Sequence, residues 1–162
     1  MDERRVCAWK VCNFIMAIFF SLAAYVQVND PDAGVWIVVY SIPSALTLLV
    51  GLHPDITGNF LWKIMSDLHI LACCLGATYL GWFLVSYKKG HIIQEEEGRE
   101  LSGLVIIILW MMLCRSSEKS AIGGVRLAIA LSISGLPFMT WLYIYLHTEM
   151  RALWPEHCKT VI

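Results

Sequence analysis

The chain has 162 residues, of which 58% are hydrophobic and 15% charged, far from the roughly 45–50% apolar and 25% charged usual in a soluble domain. A net charge of −1 without clustered Lys and Arg argues against a nucleic-acid partner, because phosphate binding needs such clusters. The class left is a multi-pass integral membrane protein.

Met1 to Trp9 is a short polar head. The apolar run from Val11 to Val28 follows and comes close to the roughly 20 residues that cross a hydrocarbon core. Ser21-Leu22-Ala23-Ala24 has the look of a signal-peptidase site. The run continues past it, however, and Asp2 and Glu3 spoil a basic leader, so the segment is read as a span. Gln27-Val28-Asn29-Asp30-Pro31-Asp32-Ala33-Gly34 packs polar residues, a proline and a glycine between two apolar runs, the composition of a wet turn. In it Asn29 suits a helix C-terminus, Pro31 the turn and Asp32 the N-cap of the next helix.

The second run, Gly34 to Leu52, contains Pro43, which a membrane helix tolerates when neighbours satisfy the carbonyl it frees. Gly51-Leu52-His53-Pro54-Asp55 ends that run, and the third is Phe60 to Tyr87. Lys63 and Asp67, four apart, are expected to pair on one helical face. Asp67 and His69 fall in the early turns, near one membrane face, where they could begin a proton path; interfacial pairing with Lys63 is the simpler reading.

Lys88 to Glu100 is the main charge run, and the apolar stretch behind it, Leu101 to Cys114, is only about 14 residues, or about 21 Å against a core of about 30 Å. A helix that starts near Ile93 is long enough, which draws Glu97, Arg99 and Glu100 to the membrane edge. The last run, Gly124 to Leu146, holds Gly135 and Pro137, which predict a kink. Trp141, Tyr143 and Tyr145 then mark its exit at the aromatic belt.

The expected architecture is all-α: one domain, residues 1–162, forming a bundle of five membrane helices over roughly 11–28, 34–52, 62–86, 93–114 and 124–146. More basic residues fall on the amino-terminal side of such a bundle, which favours a cytosolic amino terminus. Small residues four apart, Ala17 and Ser21, Cys73, Ala77 and Gly81, and Ala128 and Ser132, predict where helices approach closely within the bundle. The six cysteines are read as small buried residues, with palmitoylation an alternative for Cys7 and Cys12 beside the first span.

Five spans collect Asn29, Asp30 and Asp32, the acidic stretch Glu97, Arg99 and Glu100, and also His91, Glu96, His147 and Glu149 on one side. Capping of helix ends by these side chains and a solvated first turn at a helix N-terminus account for much of this. The functional reading is that Asn29, Asp30, Asp32, Glu97, Arg99 and Glu100 form a polar cluster for a lipid headgroup or other small ligand, since ionisable groups at membrane depth are costly. Carboxylates also suit hard cations, but EF-hand and zinc spacings are absent, so no metal or cofactor is expected. Phosphate-loop, nucleophile-elbow and zincin motifs are absent as well. The chain is therefore read as non-enzymatic, binding or scaffolding a lipid, a small ligand or a membrane partner, with a transporter or channel subunit and a carboxylate-based membrane enzyme as alternatives. A transporter needs polar residues through the middle of the spans, and those stretches hold little beyond Ser, Thr and Cys. Thr160-Val161-Ile162 has the shape of a PDZ ligand.

Tyr25-Val26-Gln27-Val28-Asn29-Asp30-Pro31-Asp32, the following Trp36 and Tyr40, and Glu97-Gly98-Arg99-Glu100-Leu101-Ser102-Gly103-Leu104 resemble the transmembrane protein 220 family, over nearly the whole chain in size and order of apolar runs. The resemblance implies a small multi-pass membrane protein. It brings no catalytic residues with it.

Overall fold

The computed structural model describes residues 3–87, 96–117 and 123–146. Five long helices follow one another: α1 (Glu3–Val26), α2 (Ala33–Leu52), α3 (Phe60–Tyr87), α4 (Glu96–Ser116) and α5 (Gly124–Leu146), with 3-10 turns at Gln27–Asn29 and Pro54–Gly58. α1 begins well before its apolar run. Glu3 in its first turn suits the positive end of the helix dipole, and the early residues Trp9 and Cys12 are buried. Asp30 and His53, each followed by a proline, adopt the extended conformation that proline imposes on the residue before it, and so the chain breaks there. Asn59 starts α3 by accepting the Leu61 amide at 2.9 Å.

Side-chain contacts fix the directions. Ser44 donates its hydroxyl to the Ala17 carbonyl at 2.9 Å, and farther along α2 Gly51 lies against the Phe14 ring, so α1 and α2 are antiparallel. Trp62 Nε1 donates to the Leu46 carbonyl at 3.2 Å, and farther along α3 His69 reaches the Val39 carbonyl, so α2 and α3 are antiparallel too. Arg115 binds Asp67 at 3.0 Å and Leu104 covers Gly76, which lays α4 back along α3. Thr47 faces Met111 and Tyr40 faces Gly103, so α2 and α4 are parallel. Phe19 meets Phe138 edge-on at 6.0 Å, and Ser134 reaches Cys12, aligning α1 with α5. Hence α1, α3 and α5 run one way and α2 and α4 the other. The Gln27–Asp32 turn, the start of α4 and the ends of α3 and α5 share one end of the bundle.

α4 is the core of the bundle. Leu104, Ile107, Trp110, Met111 and Cys114 are all buried; Trp110 stacks on Trp9 at 6.0 Å, and the Cys114 thiol donates to Asn13 Oδ1 at 3.4 Å. Asn13 in turn donates to the Trp9 carbonyl at 2.8 Å. The outward faces of α3 and α5 carry Leu71, Leu75, Trp82, Leu131, Leu136 and Met139, a surface suited to lipid. Among the described residues four helices, α1, α2, α3 and α5, are long and apolar enough to cross a membrane by length and composition. α4 starts with Glu96, Glu97, Arg99 and Glu100.

Asp67 pairs with Arg115 of α4, an inter-helix partner that spacing along α3 alone could not reveal; Lys63 too has an interaction partner. Other expectations are corrected. Ala128 and Ser132 face outward; α5 turns Ala130 and Ser134 inward, an arc set by the Phe138 contact with Phe19 and the Ser134 contact with Cys12. At Gly81 an added Cβ would meet nothing, so this end of the α3 strip makes no close approach, whereas Cys73 is buried and Ala77 packs on the core. Residues 93–95, expected to open α4, together with His91, His147, Glu149 and the carboxyl-terminal Thr160-Val161-Ile162, lie outside the described residues.

Candidate functional site

The turn between α1 and α2 is built by its backbone. The Asp30 amide donates to the Gln27 carbonyl at 3.0 Å, the Ala33 amide to the Asp30 carbonyl at 3.2 Å, and the Val35 amide to the Asp32 carbonyl at 3.0 Å. Asn29 ends the 3-10 turn and is exposed, as is Asp32, while Asp30 is half-buried. Asp32 occupies the N-cap position of α2, yet its side chain makes no capping bond. Its Oδ2 instead accepts the Trp36 indole N–H at 2.8 Å. The expected cap is right in position and wrong in chemistry: the i, i+4 spacing puts the carboxylate over the indole, the stronger of its two opportunities because a buried indole N–H must be satisfied.

From Trp36 the contact continues down α2. The Trp36 and Tyr40 rings lie 6.2 Å apart, both buried, and the Tyr40 hydroxyl fits against Gly103 of α4, where a Cβ would collide with it. Glu100, one turn before Gly103, lies within electrostatic reach of Tyr40. Glu97, Arg99 and Glu100 are half-buried in the first turns of α4 around the buried Gly98, whose carbonyl accepts the Ser102 hydroxyl at 2.8 Å. Asp30, Glu97 and Glu100 all have interaction partners. Thus one face of α2 links the Asp32 carboxylate, through Trp36 and Tyr40, to the acidic start of α4. The sequence offered one hint of this column, an Asp, a Trp and a Tyr at successive intervals of four. Its landing point, Gly103, carried no signal of its own.

A second polar set lies deeper. His69 is buried and its Nε2 is 3.5 Å from the Cys73 thiol. The carbonyl it reaches, that of Val39, is the one Pro43 frees, because a proline lacks the N–H that would bond the carbonyl four residues back. Asn13, Tyr40, Thr47, Ser66, His69 and Ser134 are all buried, so the bundle interior is more polar than the sequence implied. His69 falls in the early turns of the third run, which put it near one face; α3 starts at Phe60 as expected, but its packing on α2 brings His69 to the level of Val39. Among the described residues, no three His, Cys, Asp or Glu side chains gather as a metal site.

The Transmembrane family 220 helix family matches residues 19–116. The chain is 58% identical over 160 residues to Transmembrane protein 220 of Xenopus laevis, covering 99% of this chain and 87% of that relative. No solved structure matches it.

Proposed function

The chain belongs to the Transmembrane family 220 and is a multi-pass membrane protein; on that premise we propose that it crosses the membrane five times and acts without catalysis, binding the headgroup of a zwitterionic phospholipid at the polar end of its bundle. The fifth crossing is α4. It packs along α3 from Leu104 at Gly76 to Arg115 at Asp67 and buries its apolar face against protein. A helix surrounded by other helices can bring charged first turns to the membrane surface at lower cost than one facing lipid.

One observation carries the headgroup reading: the column from Asp32 through Trp36 and Tyr40 to Gly103. It supports a shared polar end by running from Asp32, in the same turn as Asn29 and Asp30, to the helix whose first turns hold Glu97, Arg99 and Glu100. Carboxylates attract the ammonium of such a headgroup, and the Arg99 guanidinium matches its phosphate in a two-pronged bond.

Native mass spectrometry of the full chain released from detergent tests this. The unaltered chain is expected to carry bound phospholipid. A variant with Asp30→Asn, Asp32→Asn, Glu97→Gln and Glu100→Gln loses it, the Asn at 32 still offering an oxygen to the Trp36 indole. Asp55→Asn, at the opposite end, retains it. Equal lipid retention in the fourfold variant would remove the basis for the reading.

A further inference from the structure

The face of α3 that packs inward repeats Trp62, Ser66, His69 and Cys73 at helical spacing, one stripe along the helix. Apart from Trp62, which is fastened to the Leu46 carbonyl, these are groups that give or take protons. His69 is 7% exposed, Cys73 2% and Ser66 0%. The Ser66 hydroxyl has no hydrogen-bond partner among the described residues, an uncommon state for a buried polar atom. Across from the stripe stands Tyr40 of α2, 6% exposed, within electrostatic reach of both Cys73 and Glu100. The order of groups is therefore Glu100 at the polar end, Tyr40, the His69 and Cys73 pair, then Ser66, and beside it in the chain Asp67, which is exposed and held by Arg115.

We propose that His69 is a proton-exchange site within the membrane, and that this seam carries protons between Glu100 at one end of the bundle and Asp67 toward the other. The inference does not rest on the headgroup reading: the seam shares Glu100 and Tyr40 with that end of the bundle, but its centre is His69, at a different depth, and its readout is proton flux rather than bound lipid. Imidazole suits the task because it takes a proton on one ring nitrogen and releases one from the other, with no net bond change once the ring rotates back. Tyr40 and Ser66 pass a proton by accepting one and donating another through the same oxygen. The groups at His69 are Cys73 on its own helix and the Val39 carbonyl on α2; Tyr40, next to Val39 in the chain, is within electrostatic reach of Cys73 and of Glu100 on α4. Chains of ionisable side chains in membrane interiors mark proton relays, and the Pro43-freed carbonyl holds the imidazole in place at the centre of this one.

The test is proton uptake into vesicles of neutral phospholipid containing the purified full chain, with a pH-sensitive dye inside and a potassium diffusion potential as driving force. Vesicles with the unaltered chain are expected to acidify faster than protein-free vesicles. His69→Gln keeps an N–H for the Val39 carbonyl but cannot exchange protons at neutral pH, so its flux falls to the protein-free leak while its thermal unfolding is retained. Tyr40→Phe, which keeps the ring against Trp36, lowers flux as well and serves as the deciding variant if His69→Gln does not fold. Uptake by the unaltered chain no faster than the leak overturns the proposal. So does undiminished flux in a folded His69→Gln variant or in Tyr40→Phe.

Discussion

Replacing Gly103 with leucine is expected to cost about 3 kcal/mol of stability, the upper part of the range for overpacking a well-filled interior. Even the first added carbon would collide with the Tyr40 hydroxyl, and Tyr40 has little room to retreat, being buried with its ring against Trp36. The remaining carbons of leucine would then wedge α2 from α4. Gly103→Ala should cost less, and Tyr40→Phe should recover part of that loss because it removes the colliding oxygen. Unfolding in mixed micelles with rising proportions of SDS measures both effects. A leucine variant as stable as the parent would mean that α2 and α4 do not meet at this glycine.

His69→Phe is expected to cost about 1–3 kcal/mol, the penalty for leaving a buried acceptor unsatisfied. The acceptor is the Val39 carbonyl, orphaned by Pro43 and reached by the imidazole. The size of the effect depends on the proline. In a Pro43→Ala background the new amide at position 43 can bond Val39 within α2, so His69→Phe should cost markedly less there. The difference between the two costs is a coupling energy, expected at about 1 kcal/mol or more. Equal costs in both backgrounds would show that His69 does not answer the proline.

These two sites show where reading the sequence succeeds and where it stops. α2 and α5 were legible almost to the residue, because a turn rich in Asp, Pro and Gly or a glycine pair brackets each apolar run. That the charged run before the short apolar stretch is helical was legible from Glu96 on, where Glu96, Glu97, Arg99 and Glu100 belong to α4; the expected start near Ile93 lies outside the described residues. That α4 would be the most enclosed helix was not legible. Its charges make it look the least suited to the interior, and only the packing of Ile107, Trp110 and Met111 reveals its place. α1 was read too short because its first turns are polar, although Trp9 and Asn13 on one face of it are buried.

At the candidate site, the types of residue were legible and their partners were not. Asp32 was placed at the start of α2, but whether its carboxylate would turn to a backbone amide or to Trp36 depends on how deeply the indole is buried. Pro43 announced a freed carbonyl. Naming His69 as its partner required knowing how α3 lies across α2, and so did finding that Asp67 pairs with Arg115 from α4. Spacing along one helix identifies a stripe; it does not say which other helix will cover it.

The fifth crossing is the proposition on which the shared polar end and the proton seam both depend, and cysteine labelling from outside sealed vesicles tests it most directly. With Cys7, Cys74 and Cys158 replaced by alanine, single cysteines are placed at Asp30, Asp55 and Ser116 and treated with a membrane-impermeant maleimide. Five crossings predict that Ser116→Cys reacts from the same side as Asp55→Cys and from the opposite side to Asp30→Cys. If Ser116→Cys reacts together with Asp30→Cys, α4 does not cross, and the account is contradicted.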